Sequence, residues 1–124
     1  MKKYLFVSIL LLSLSFISCN GDKDIYYVKY EVEDDYFTSY GYRTHITVNT
    51  EIGYQNFEVV RTFNETFGPV DEDFVANIKV YTTPSDYNEK TVSIYVCKND
   101  APYVLKAYKK VSGTTVDLSY QIDF

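Results

Sequence analysis

Within its 124 residues the chain carries 12 Lys and Arg against 17 Asp and Glu, a formal net charge of −5, with 14 Tyr and 8 Phe but no Trp. A chain of this length holds one modest core, and its acidic balance is repelled by phosphate backbones, so nucleic acid is not expected as a partner. Two cysteines, Cys19 and Cys97, are too few for a disulfide framework.

The opening "MKKYLFVSILLLSLSFISC" places Lys2 and Lys3 before an apolar run from Tyr4 to Ile17 broken only by serines. That run is short for a membrane span and suits the core of a secretory signal. Ser18 before Cys19, with Phe16 and Ile17 behind it, resembles the lipoprotein signals of Bacteroidota. The resemblance implies removal of residues 1–18, lipidation of Cys19 with palmitate-type chains, a tether over residues 19–24 and a folded domain over residues 25–124. Removal would leave 106 of the 124 residues and, with Lys2 and Lys3 gone, would shift the formal charge from −5 to −7. Two or three acyl chains anchor firmly where one binds only marginally. The following "NGDKD" resembles the acidic export signal of surface lipoproteins, with Lys23 interrupting Asp22 and Asp24. It implies the outer membrane and its cell-surface side, the periplasmic face being the alternative.

Beyond Asn20 apolar residues recur at every second position. In "IYYVKYEVE" Tyr26, Val28, Tyr30 and Val32 share one face, with Tyr27, Lys29, Glu31 and Glu33 opposite, the pattern of a half-buried strand. "YRTHITVNT" repeats it with Tyr42, Ile46 and Val48 against Arg43, His45, Thr47 and Asn49, and Gly53 in "EIGY" predicts a tight reversal into a third strand, "QNFEVVRTF". A fourth strand, "FVANIKVYT", turns Phe74, Ala76, Ile78 and Val80 inward, and Pro84 with "SDYNEK" ends it. "TVSIYVCKN" offers Val92, Ile94 and Val96. After Pro102 come "YVLKAYKKV" and then "TTVDLSYQIDF", where Val116, Leu118, Tyr120, Ile122 and Phe124 alternate. Seven short strands without a crossover helix predict an all-β fold, a single immunoglobulin-like antiparallel β-sandwich.

"VKYEVE", "ITVNTEIGYQNFEVVRTFNETF", "SIYVCKND" and "GTTVDLSYQIDF" together resemble small Bacteroidota lipoproteins whose sandwich is similar to that of the mycobacterial MmpS proteins. The resemblance implies the immunoglobulin-like sandwich and, from MmpS proteins, an accessory role beside an envelope transporter. The chain departs from that pattern in lacking Trp and in placing "CKND" where a D-G turn is usual.

Chemistry-bearing residues are sparse. Two acidic knots, Glu33–Asp34–Asp35 and Asp71–Glu72–Asp73, could bind Ca²⁺ or, if they met, serve as a carboxylate pair for glycoside hydrolysis. Neither has the spacing of a calcium loop, and solvated loop charge is the expected reading. His45 is alone of its kind and alternates outward, and Cys97 in a strand reads as a small core hydrophobe without a partner His. No catalytic residue, metal or cofactor is expected from these motifs. The aromatic residues are the functional lead: about half of the tyrosines beyond the signal are expected in the core, while Tyr27, Tyr81, Tyr95 and Tyr108 face outward and Tyr87 sits in a loop. "DDYFTSYGY" gathers Tyr36, Phe37, Tyr40 and Tyr42 in one connection, where binding surfaces lie. The expected role is a non-enzymatic, lipid-anchored module that binds an envelope protein or a glycan. An accessory transporter subunit and an immunity lipoprotein are the alternatives.

Overall fold

The computed structural model describes residues 23–34, 43–60, 62–83, 89–113 and 115–123. These form eight strands: β1 (Tyr26–Asp34), β2 (Arg43–Thr50), β3 (Gly53–Val59), β4 (Phe63–Val70), β5 (Val75–Thr83), β6 (Glu89–Lys98), β7 (Val104–Ser112) and β8 (Thr115–Gln121). The expected all-β sandwich is present as two four-stranded antiparallel sheets, ordered β4-β1-β6-β7 and β3-β2-β5-β8.

The pairing resolves into two long hairpins that bend from one sheet into the other. In the first, β1 and β2 are matched by β4 and β3; in the second, β6 and β5 are matched by β7 and β8. The hairpins lie side by side through β1 against β6 and β2 against β5. Only the β2–β3 and β6–β7 turns keep the chain within a sheet; every other connection changes sheet. The predicted strand "QNFEVVRTF" does not run through. β3 ends at Val59, the chain crosses to the other sheet, and Phe63–Val70, of which only Phe63 lies in an expected strand, forms β4, so eight strands form where seven were expected. An unbroken alternation would have continued past Phe57 and Val59, but this chain must pass from one sheet to the other there, and Val60 is left exposed.

The two-residue period delivers the core. Tyr26, Val28, Tyr30 and Val32 of β1 face Ile46 and Val48 of β2, Ala76, Ile78 and Val80 of β5, Val92, Ile94 and Val96 of β6, and Val116 of β8, all buried. Each such Val or Ile contributes roughly 1.5–3 kcal/mol relative to an exposed position, so the four central strands carry most of the stability. Phe57 of β3 lies 5.1 Å from Phe63 and 6.0 Å from Phe67 of β4, and Phe67 lies 6.0 Å from Tyr30. This tilted aromatic set closes the side of the sandwich where β3 passes to β4. The tyrosines are distributed less deeply than expected. Of the described ones only Tyr26 and Tyr30 are fully buried, while Tyr120 is partly buried against the core and Tyr27 and Tyr95 partly buried on the outer face, because the aliphatic residues already fill the inward positions.

Two local features are required by the backbone. Thr50 pairs with Gly53 across a two-residue turn of Glu51 and Ile52, with Gly53 at φ 104° as in a glycine bulge, and the Thr50 hydroxyl donates to the Gly53 carbonyl at 2.7 Å. In β4, Gly68 has φ 143°, and a Cβ there would come within 2.8 Å of the Tyr27 ring and 3.0 Å of the Tyr26 carbonyl oxygen. Gly68→Ala is therefore expected to cost about 2–3 kcal/mol, the sum of left-handed strain and forced displacement of β1. Thermal unfolding of the variant should show a midpoint lower by roughly 10 °C or more at this domain size; an unchanged midpoint would refute the close approach.

Tyr30 reaches across the sandwich. The β2–β5 ladder ends with Val48 opposite Ile78, and beyond it the Tyr30 hydroxyl donates to the Asn49 carbonyl at 2.6 Å and accepts from the Asn77 amide at 3.3 Å. A phenol from one sheet thus replaces a ladder bond of the other. Burial pushes that phenol well above its ordinary value of 10.0.

Candidate functional site

The strand registers give the sandwich two distinct ends. Tyr26 pairs with Val70 and Lys98, so the start of β1, the β4–β5 turn and the β6–β7 turn share one end, here called proximal. Asp34 pairs with Lys90, and Arg43 with Thr83, at the opposite, distal end.

At the proximal end Asn99 holds the start of the domain. It sits at φ 55° in the β6–β7 turn, a conformation that Asn tolerates better than most residues. Its amide N–H donates to the Ile25 carbonyl at 2.7 Å, its Oδ1 accepts from the Ile25 amide at 3.0 Å, and its Nδ2 donates to Asp24 at 3.1 Å. That side-chain bond, with Lys98 3.5 Å from the same carboxylate, holds the Asp24 carboxyl below its ordinary range. Cys97 is buried beside the turn, its single S–H shared between the carbonyls of Asn99 at 3.1 Å and Ala101 at 2.9 Å. Cys97 is thus a small buried residue, as the sequence predicted, and its thiol in addition closes the turn.

The acidic knots do not meet. Asp71, Glu72 and Asp73 lie at the proximal end, where Asp71 is 3.7 Å from Lys23. Glu33 and Asp34 lie at the far end of β1, about seven residues along the strand from the Val70 register position, or roughly 23 Å. That span exceeds the roughly 5–9.5 Å that carboxylate pairs use in glycoside hydrolysis, so the paired-carboxylate hydrolase is overturned for these residues. Asp35 lies outside the described residues. Among the described residues no three His, Cys, Asp or Glu side chains are grouped to hold a metal ion.

Cys19, Tyr36, Phe37, Tyr40, Tyr42 and Tyr87 also lie outside the described residues. The residues that flank the aromatic segment are placed, however: Asp34 in one sheet and Arg43 in the other, both at the distal end. Thr83 and Glu89, which flank the segment with Tyr87, share that end.

The outward tyrosines divide between two sheet faces. On the face of β4-β1-β6-β7, the Lys29 amine lies 4.5 Å from the Tyr95 ring and 5.0 Å from the Tyr103 ring, and 3.6 Å from Glu31. Burial, with Glu31 beside it, raises the Tyr95 phenol. Tyr108 is exposed on the same face, opposite Ser93.

The face of β3-β2-β5-β8 is built differently. Its registers set out three cross-strand rows: Glu58, His45, Tyr81 and Thr115; Asn56, Thr47, Lys79 and Asp117; and Tyr54, Asn49 and, at the β5–β8 register, Asn77 and Ser119. His45 stacks on Tyr81 with centroids 4.5 Å apart and planes 10° from parallel, and shares a 2.7 Å hydrogen bond with the Thr83 hydroxyl. The Thr47 hydroxyl donates to Asn56 Oδ1 at 2.7 Å, and Arg43 is 3.2 Å from Glu58. Asn77 donates from Nδ2 to Asp117 at 2.9 Å and Ser119 at 2.6 Å, while its Oδ1 is buried without a partner. The sequence placed His45, Thr47 and Asn49 on this face but gave no sign of their neighbours, because cross-strand registers are set by folding.

No protein-family model, curated protein or solved structure matches the chain.

Proposed function

We propose that the chain is a lipid-anchored, non-enzymatic module of the cell envelope that offers its distal end to a protein or glycan partner. One observation carries this reading: the start of the domain at Lys23 and the flanks of the aromatic segment, Asp34 and Arg43, stand at opposite ends of a rigid sandwich. Cys19 precedes Lys23 by four residues, at most roughly 14 Å of chain, so an anchor at Cys19 holds the proximal end beside the membrane. The proximal end carries Asp24, Asp71, Glu72, Asp73 and Asp100 against Lys23 and Lys98, a balance that anionic headgroups repel. The domain then stands off the bilayer with the flanks of the aromatic segment, Asp34 and Arg43, at the end away from it. Tyrosines in such a connection supply large contact area at low entropic cost.

The test has two arms. Metabolic labelling with a palmitate analogue should mark the wild type and fail to mark Cys19→Ala; a labelled mutant removes the anchor from the reading. Pull-down from envelope extract with wild type and with Tyr36→Ala/Phe37→Ala/Tyr40→Ala should recover a partner in the first case only, with binding weakened at least about tenfold by the loss of three aromatic contacts. Equal recovery returns the segment to a structural role.

A further inference from the structure

We propose that the outer face of β3-β2-β5-β8 is a binding platform for an uncharged glycan chain. The proposal stands apart from the distal segment, since every residue it uses lies on the sheet itself.

Three observations bear on the ligand's chemistry. The first is charge. Arg43 is matched by Glu58 at 3.2 Å, and Lys79 stands opposite Asp117 in the register, so the face is neutral on a chain of net charge −5. A neutral face complements an uncharged ligand and gives a phosphate or uronate polymer nothing to pair with.

The second is the kind of polar group. Asn49, Asn56, Thr47 and Ser119 supply amides and hydroxyls, which both donate and accept and so match the vicinal hydroxyls of a sugar. Several are already held in place: Thr47 by Asn56, Asn49 through its Nδ2 to the Val75 carbonyl at 2.8 Å, and Ser119 by Asn77. Groups fixed in advance lose little freedom on binding. Asn77 is 7 % exposed and braces this floor from beneath through its bonds to Asp117 and Ser119.

The third is the placement of the aromatic rings. Tyr81 is 45 % exposed and is kept in place by the parallel His45 ring, while Tyr54 is 62 % exposed at the β3 edge. Tyr54 lies opposite Asn49 and Tyr81 opposite His45, four residues along β2 and two strands across, so their backbones are roughly 16 Å apart. The line between them crosses Thr47. Two stacking platforms at the ends of a polar floor fit a short run of sugar rings laid diagonally over the sheet, the apolar faces of its two end rings meeting Tyr54 and Tyr81.

The experiment is affinity electrophoresis of the full-length protein in mild detergent, through native gels cast with a soluble α-glucan, a β-glucan, a mannan, a xylan or, as the charged probe, alginate. Retardation by at least one neutral polysaccharide is expected, weakened about tenfold by Tyr81→Ala and by Tyr54→Ala. Tyr81→Phe, which keeps the ring, should bind as wild type, and so should Tyr108→Ala on the other sheet. Thermal unfolding of each variant reports that the fold is kept. No retardation by any neutral polysaccharide overturns the proposal. Retardation by alginate alone, loss at only one of the two tyrosines, or loss on Tyr36→Ala/Phe37→Ala/Tyr40→Ala with Tyr54→Ala and Tyr81→Ala unchanged does the same, the last assigning binding to the distal segment.

Discussion

Tyr30→Phe should lower the unfolding free energy by about 1–3 kcal/mol, although it removes one oxygen and leaves the ring in the core. The hydroxyl is the partner of the Asn49 carbonyl and the Asn77 amide, two backbone groups that the β2–β5 ladder has left open. Without it both are buried and unsatisfied, and the two sheets lose a polar link that no hydrophobic contact replaces. Tyr30→Ala adds the loss of a fully buried ring and should cost about 3–5 kcal/mol, a large share of the stability of a domain this size. Urea denaturation of the two variants separates the contributions: a Phe variant as stable as wild type would mean that the hydroxyl is not holding the ladder.

The same residue sets a pH dependence. Burial raises the folded-state value of Tyr30 above 10.0, so the unfolded chain ionises first. The stabilisation is present in full below pH 10 and is lost as pH rises beyond it. Wild type should therefore lose stability on the alkaline side faster than Tyr30→Phe, and the difference between the two curves isolates this phenol from the other tyrosines and the lysines.

The second large effect is expected at Lys90. It occupies an inward position on β6, in line with Val92, Ile94 and Val96, and is 0 % exposed. Its Nζ donates to the Gly113 carbonyl at 3.2 Å, which ties β6 to the β7–β8 connection. Lys90→Glu places a carboxylate against that carbonyl in a site without water access and should cost about 3–5 kcal/mol. Lys90→Met keeps the volume and loses the donor, for about 1–3 kcal/mol. Should Met and Glu be equally mild in urea denaturation, Lys90 would be solvated in solution and its burial refuted.

Lys90 also marks where pattern reading stops. A lysine after "SDYN" reads as the polar end of a loop, because inward strand positions are expected to be apolar, yet β6 already begins at Glu89. Burial of such a residue depends on acceptors brought from elsewhere in the chain, and Gly113 is 23 residues away. The division of "QNFEVVRTF" was hidden for a related reason. Its alternation fits one strand, and only the need to carry the chain from β3 into the opposite sheet ends the strand at Val59. Tyrosine burial was overestimated because Tyr fits either side of a strand, and the count of inward positions depends on how many aliphatic residues reach them first.

Legible in the residues alone were the all-β class, the apolar inward residues of β1, β2, β5, β6 and β8, and the outward placement of His45, Tyr81, Tyr95 and Tyr108. These follow from a two-residue period and from turn residues such as Gly53, which act over a few positions. Tertiary structure alone decided which strands pair, that the acidic knots stand at opposite ends of β1, that Tyr30 completes a ladder in the opposite sheet, and that Tyr81, His45, Asn77 and Tyr54 share one face. Side-chain alternation says which face of a strand a residue occupies. Its neighbours on that face are set by register between segments tens of residues apart, and that register is chosen by the packing of the core.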